Sequence, residues 1–453
     1  MGLSVWLGLE LAGSERGVFL PGATTSGHHQ IEPACEACHA EPFAGADAMQ
    51  AKCEGCHLAA LDAARDSHPK SKFTDPRNAD RAALLDARYC VTCHVEHRPE
   101  RTLAMGLTIP GDYCVLCHEQ IGAERATHEG LGFETCGSSG CHNFHDNRSL
   151  YEDFLLRHAE APELLARREL PARNFASVAP LLGDYPKADY PVRPLTSAEA
   201  DASAVGSSVP TGLLDDWAST AHAASGVNCT ACHGAADAWR DEPGYSSCSS
   251  CHANENAGFL AGRHGMRLDA AKLGAVLPPM TPAAARLPMK ADPIADQLDC
   301  GSCHGAHRFD TAFAAVDACL GCHDDTHSLS YIGSPHHVLR ERVRLGSLPP
   351  EAGVSCASCH MPRTALSYDY GAYVHTLVQH NQSDNLMPND KMLRSVCLDC
   401  HGLPFSLDSL ADRALIERNF EGRPAVHVES IDLALQRHRA VDEERRQTQQ
   451  GVN

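Results

Sequence analysis

The chain of 453 residues has no run of 18 apolar residues, so no complete membrane span can be read in it. Aromatic side chains are scarce, at 6%, and hydrophobic residues reach only 43%. Side chains alone therefore give the interior few large flat apolar surfaces, and something else must fill part of it. Positive charge is also short. Lys and Arg number 38 against 58 Asp and Glu, a net charge of −20, the wrong sign for a protein that tracks nucleic-acid phosphates. Gly (35) and Pro (27) are near average, which argues against a disordered chain. Finally, no cysteine is left over: all 22 fall into pairs, too many for an ordinary cytosolic enzyme, in a chain too long for a small disulfide scaffold.

The pairs share one grammar. In order they are Cys35/Cys38, Cys53/Cys56, Cys90/Cys93 and Cys114/Cys117, then a stretched Cys136/Cys141 with four residues between. After a gap come Cys229/Cys232, Cys248/Cys251, Cys300/Cys303, Cys319/Cys322, Cys356/Cys359 and Cys397/Cys400. Each second cysteine is followed at once by a histidine: His39, His57, His94, His118, His142, His233, His252, His304, His323, His360 and His401. A zinc knuckle, a redox dithiol or a disulfide does not require that histidine. At this histidine content, eleven coincidences have a chance probability on the order of 10⁻¹³, whereas c-type haem attachment requires the pattern. Two thiols must reach the two vinyl groups on one porphyrin edge, and the adjacent imidazole must meet the iron from the same face.

On these motifs the sequence resembles a multihaem c-type cytochrome from Cys35 to His401. The N-terminal half resembles the class III cytochromes. The C-terminal half loosely resembles multihaem nitrite and hydroxylamine cytochromes, through the run from Trp217 to His222 and through Cys359-His360-Met361-Pro362. The resemblance implies covalent haem c with its iron, eleven copies, attached after export, hence a periplasmic or extracellular location. Leu3–Ala12 reads as the end of an export signal or membrane anchor, although Glu10 and the lack of a preceding Lys or Arg depart from that pattern. Two functions follow. One is electron transfer along a haem chain, with no catalytic residue, between redox partners whose docking surfaces are basic, or through self-association of end haems into a filament. The other is reduction or oxidation of a nitrogen or sulfur oxyanion at one open iron. The lysine that replaces the motif histidine in pentahaem nitrite reductases has no counterpart here. A tyrosine crosslink of the hydroxylamine-oxidase kind would have to come from Tyr368, Tyr370 or Tyr373.

The expected fold is mainly α with much irregular loop around a continuous haem-stack core, because about 33 residues per motif between Cys35 and His401 are too few for separate polypeptide cores. A motif-free gap of 86 residues after His142 divides the chain. We expect a leader over 1–27, a pentahaem domain over 28–170, a linker over 171–211, a hexahaem domain over 212–428 and a polar C-terminal tail over 429–453. Helices are expected over Leu150–Leu170, packed over the contact between the halves, from Gly212 to His222, and after His401 as far as Gln436. Short steps make neighbours of the motifs at Cys35 and Cys53, Cys229 and Cys248, and Cys300 and Cys319.

Seventeen histidines remain for the second axial position. His97, His145, His307 and His327 follow a motif histidine by three or four residues; they cannot easily reach round their own porphyrin and are expected to serve a neighbour. His68, His128, His158, His222 and His264 lie in the intervals between motifs. His28 or His29, His336 or His337, and His375 or His380 are alternatives. Bis-histidine ligation implies low potentials.

Overall fold

The computed structural model describes residues 6, 19–40, 45–103, 106–125, 128–130, 132–133, 136, 142–146, 150–166, 193–202, 209–273, 277–368, 373–382 and 390–451. The leader stretch Leu3–Ala12, most of the linker, Cys141 and Tyr370 therefore lie outside the described residues, Trp6 apart.

The fold is mainly α with much irregular loop, as the sequence leads one to expect. The longer elements are α1 (Ala46–Ala64), α2 (Glu152–His158), α3 (Thr211–Ala218), α4 (Ala253–Ala261), α5 (Pro335–Arg344), α6 (Leu403–Ala411) and α7 (Ser430–Gly451). Between α5 and α6 a hairpin pairs β1 (Arg363–Tyr368) with β2 (Tyr373–Val378), antiparallel, from Arg363↔Val378 to Tyr368↔Tyr373. Local signals set the ends. At the start of α5 the Ser334 hydroxyl accepts from His337 N at 3.2 Å with Pro335 in the first turn, and Arg342 and Arg344 close the last turn against the helix dipole.

The chain forms two compact units. One comprises Met1–Arg168, Asp269–Leu277 and Met387–Asn453; the other comprises Glu169–Leu268 and Pro278–Leu386. The division at the gap placed Cys397 and Cys400 with the second half; the fold packs them with the first. The reason is a small aliphatic core inside the first unit. Leu150 and Leu155 of the α2 region meet Leu393, Leu403, Leu407, Val428, Ile431 and Ala434. Leu393, Leu403 and Leu407 flank the last motif, so burying them carries it there; each large aliphatic side chain buried contributes roughly 1.5–3 kcal/mol.

Two further expectations change. The segment expected as a polar tail is largely helical: α7 runs for 22 residues, because Ile431 and Ala434 anchor its first turns in this core and the Glu, Arg and Gln that follow favour helix. The helix expected over Leu150–Leu170 is shorter and covers Glu152–His158; residues 161–165 run extended against the last motif, and 167–170 lie outside the described residues. The helix expected from Gly212 is found, broken after Ala218 by the Thr220 cap into α3 and a second turn, Ala221–Ala224.

Candidate haem sites and their facing histidines

Each CxxCH motif folds as one helical turn. The motif histidine N–H donates to the first cysteine's carbonyl, at 2.8 Å in Cys35–His39 and Cys397–His401 and at 2.9 Å in Cys90–His94, Cys114–His118, Cys248–His252 and Cys319–His323. The motif at Cys53 lies inside α1, and Cys229–His233, Cys300–His304 and Cys356–His360 are helical turns in their own right. Positions i, i+3 and i+4 share a helix face, so both thiols and the imidazole project together. Side-chain caps hold several turns in place: Asn228 accepts from Cys229 N, and Asp299–Ser302 and Ser355–Ser358 form capping boxes.

Nine of the other histidines then meet nine motif histidines one to one. Ring centroids lie 5.8 Å apart for His28–His57, 6.0 Å for His68–His118, 6.4 Å for His94–His145 and 6.2 Å for His128–His142. In the second unit they lie 6.0 Å apart for His222–His252, 5.7 Å for His233–His307, 6.3 Å for His264–His323 and for His304–His380, and 6.0 Å for His327–His360. Every pair joins one motif histidine to one outside the motifs. Two imidazoles bound to opposite faces of one iron, with metal–nitrogen bonds of about 2.0 Å, have centroids about 6.3 Å apart. His145, His307 and His327 each face a motif other than the one they follow.

Hydrogen bonds aim these rings. The Nδ1 atoms of His68, His94, His233 and His380 reach the carbonyls of Phe144 (2.5 Å), Gly106 (3.1 Å), Arg240 (2.6 Å) and Val378 (2.9 Å). His28 and His145 reach carboxylates instead, Glu96 at 2.7 Å and Asp66 at 3.1 Å. With Nδ1 engaged, Nε2 is the ring nitrogen left to ligate, the arrangement that metal-ligating histidines require. Burial lowers the pKa of His68, His94, His118, His128, His142, His222, His304 and His307, and takes His264 and His360 to about 4. Such imidazoles are neutral at physiological pH and keep the lone pair that a metal needs. Burial works to raise the Glu96 carboxyl, but hydrogen bonds from His28 and Thr25 hold it at about 2. These carboxylates were not foreseen from the sequence; the available signal for Glu96 was its place inside Cys93-His94-Val95-Glu96-His97.

The remaining candidates lie elsewhere. His97 Nδ1 donates to Gly22 O at 2.7 Å, and His401 Nδ1 to Glu163 O at 2.9 Å. His39 caps its own motif turn. His158 stacks on Phe154, with centroids 4.5 Å apart. His29 lies 3.3 Å from Glu32. His336 and His337 occupy the first turn of α5, with His337 edge-on to Tyr331, and His375 sits in β2 opposite Leu366. Within the alternatives, His28 and His380 are the ones set against motif histidines.

The thiols connect the motifs. Cys53 lies close to Cys90, Cys114 to Cys136, Cys248 to Cys300 and Cys319 to Cys356. Each contact joins the first cysteines of consecutive motifs, and it pushes Cys53, Cys114, Cys300 and Cys319 up while lowering Cys356 and holding Cys90 and Cys248 at about 7. Second cysteines make the alternate contacts: Cys56 is close enough to act on Cys38, Cys251 on Cys232, and Cys322 on Cys303. The short-step neighbours are thus present, but the first-cysteine contacts span steps of 37, 22, 52 and 37 residues, which spacing alone could not single out.

Haem c fits this donor set. None of the 21 described cysteines is fully buried, although free cysteine is among the most buried residue types. Among the described residues no group of three or more His, Cys, Asp or Glu gathers as a bare metal ion would need. A porphyrin-held iron needs two protein ligands, and nine motifs provide two.

Residues 27–119 match a family model described as cytochrome c3, a span that contains the first four motifs. Over that span, about a fifth of the chain, the match supports a multihaem c-type cytochrome, the class that binds covalent haem c and transfers electrons. No curated protein and no solved structure matches the chain.

Proposed function

We propose that the chain holds eleven haems, one on each motif, and conducts electrons between redox partners outside the cytoplasmic membrane. Haem supplies reversible one-electron chemistry, and closely set sites give the electron a route through the protein. The observation that carries the reading is the one-to-one facing of motif and non-motif histidines. The chain's own residues do the rest: thiols would fix each group, facing imidazoles would close nine of the irons to other ligands, and the closeness of first cysteines sets consecutive motifs side by side. A second histidine faces nine of the eleven motif histidines, which leaves little place for an oxyanion, so we favour conduction over catalysis.

Export follows from the attachment chemistry. No helix among the described residues is long and apolar enough to cross a membrane. The net charge of −20 favours partners with basic docking surfaces and faster encounter at low salt. Self-association through end sites is a second mode of contact, which electron microscopy of the native protein tests. The main reading is tested by pyridine haemochrome assay with intact mass, expected to give eleven haems and no free thiol. Ten haems with free thiols at Cys136 and Cys141 would remove the stretched motif. Paramagnetic resonance of the oxidised protein should show low-spin ferric signals only; a substantial high-spin signal would transfer the weight to an open, catalytic iron.

A further inference from the structure

The order of histidines along the first unit is repeated in the second. From His28 to His145 the chain reads one free-standing histidine, two motifs, a second free-standing histidine, and then motif and free-standing histidine in alternation until five of each are used. From His222 to His380 it reads the same, once His336, His337 and His375 are set aside; His29 is the one insertion in the first run.

The pairings follow this order. The first free-standing histidine faces the second motif in both runs: His28 on His57, His222 on His252. The second faces the fourth motif: His68 on His118, His264 on His323. The fourth faces the fifth motif: His128 on His142, His327 on His360. The fifth faces the third motif: His145 on His94, His380 on His304. Thiol contacts repeat too, Cys53–Cys90 answering Cys248–Cys300 and Cys114–Cys136 answering Cys319–Cys356. One place remains. The third free-standing histidine of the second run, His307, faces its first motif at His233. The third of the first run is His97.

A separate feature marks His97 and His307 as counterparts. Both adopt the left-handed backbone, φ 61° and 68°, which non-glycine residues rarely adopt. Each stands three residues after a motif histidine and is followed by arginine, Arg98 and Arg308. The turn throws the imidazole away from its own motif. Gly22 accommodates it on one side, where a Cβ would come within 2.7 Å of the His97 carbonyl oxygen.

We infer that the chain contains two copies of a five-site module, over 28–145 and 222–380, that His97 is the second ligand of the site on His39, and that the last motif, Cys397–His401, belongs to neither copy. The assignment rests on the haem reading above. The five-site order, rather than any single contact, is what repeats, so each site in one copy has a counterpart in the other with the same ligand topology.

The experiment uses the full chain matured with haem. His97→Ala should convert a single haem to a high-spin ferric form, restored to low spin by added imidazole, and His307→Ala should do the same. His29→Ala should leave every haem low-spin. In the His97→Ala background, replacing Cys35 and Cys38 by alanine should remove one haem and abolish the high-spin signal with it. A His97→Ala protein that stays wholly low-spin overturns the assignment, as does a high-spin signal that survives loss of the Cys35/Cys38 site. If the alanine variant fails to mature, His97→Met keeps a ligand, and a methionine–ferric charge-transfer band that disappears with Cys35 and Cys38 supports the same site; no band overturns it. A wild-type protein without covalent haem would instead sink the reading on which the assignment stands.

Discussion

Counterpart sites have the same ligands but different surroundings, and Glu96 gives the most measurable case. Its carboxylate accepts from Thr25 N at 2.6 Å, Thr25 Oγ1 at 2.9 Å and His28 Nδ1 at 2.7 Å. Three donors keep it ionised. A carboxylate behind a ligating imidazole raises the ligand's basicity and favours the ferric state, so its removal should raise the potential. The size can be worked from the geometry. An ion midway between His28 and His57 lies about 7 Å from the carboxylate, counting the imidazole and a metal bond of about 2.0 Å. At an effective dielectric of about 20, one unit of charge there is worth roughly 2.4 kcal/mol. That is about 100 mV for a one-electron couple. Side chains of His28 and Glu96 are 32% and 27% exposed, so solvent roughly halves the effect, to about 50 mV. Glu96→Gln should therefore raise the midpoint of one haem by about 50 mV in a spectropotentiometric titration, with spin states and haem count unchanged. A shift below about 10 mV, or a downward one, would refute the argument that the Glu96 charge tunes this site.

Three further outcomes are expected. His158 ends α2, and the extended residues after it run along the last motif, with Leu165 N donating to Cys400 O at 2.8 Å. His158→Ala should change the spin state of the His401 haem alone; an effect on any other haem, or none, counts against His158 as that site's second ligand. His427 is held between Asp408 and Asp432, whose hydrogen bonds raise its pKa to about 9. A folded pKa above the unfolded value of about 6.5 means that its stabilisation is complete below about pH 6.5 and is lost as pH rises through about 9. Thermal unfolding at about pH 7 and about pH 10 should show a smaller alkaline loss in His427→Gln than in the parent; equal losses would discount the clamp. Leu403, 0% exposed, sits where the last motif meets the aliphatic core, and Leu403→Ala should cost about 2–5 kcal/mol in denaturant unfolding. A cost well under about 1 kcal/mol would mean that this cluster does not hold the first unit together.

The motif grammar was legible because attachment chemistry constrains residues close in sequence: two thiols and an imidazole must share one helical turn, and i, i+3, i+4 spacing is a local property. The choice of facing histidine was only partly legible, because it depends on where distant segments meet. His145 stands three residues from His142 yet faces His94. The reach argument, that such a histidine cannot turn back round its own porphyrin, excluded the wrong partner without naming the right one. Alternatives such as His28 against His29 differ by one residue, which turns a side chain by about 100° on a helical path; packing decides, here through the Glu96 carboxylate and Thr25. The division of the chain failed for a related reason. Motif spacing is blind to aliphatic packing, and eight buried residues from 150 to 434 suffice to fold the last motif back onto the first unit. The same blindness hid α7: a polar string looks like a tail until its first turns are anchored, after which helix propensity carries it on. The repeated module was in the sequence throughout, as an order of histidines rather than a fixed period. Unequal loops, such as 29 residues from His28 to His57 against 30 from His222 to His252 but 14 from His128 to His142 against 33 from His327 to His360, erase periodicity. What survives is topology, because loops lengthen at small cost while a ligand pair cannot be exchanged without moving two sites at once.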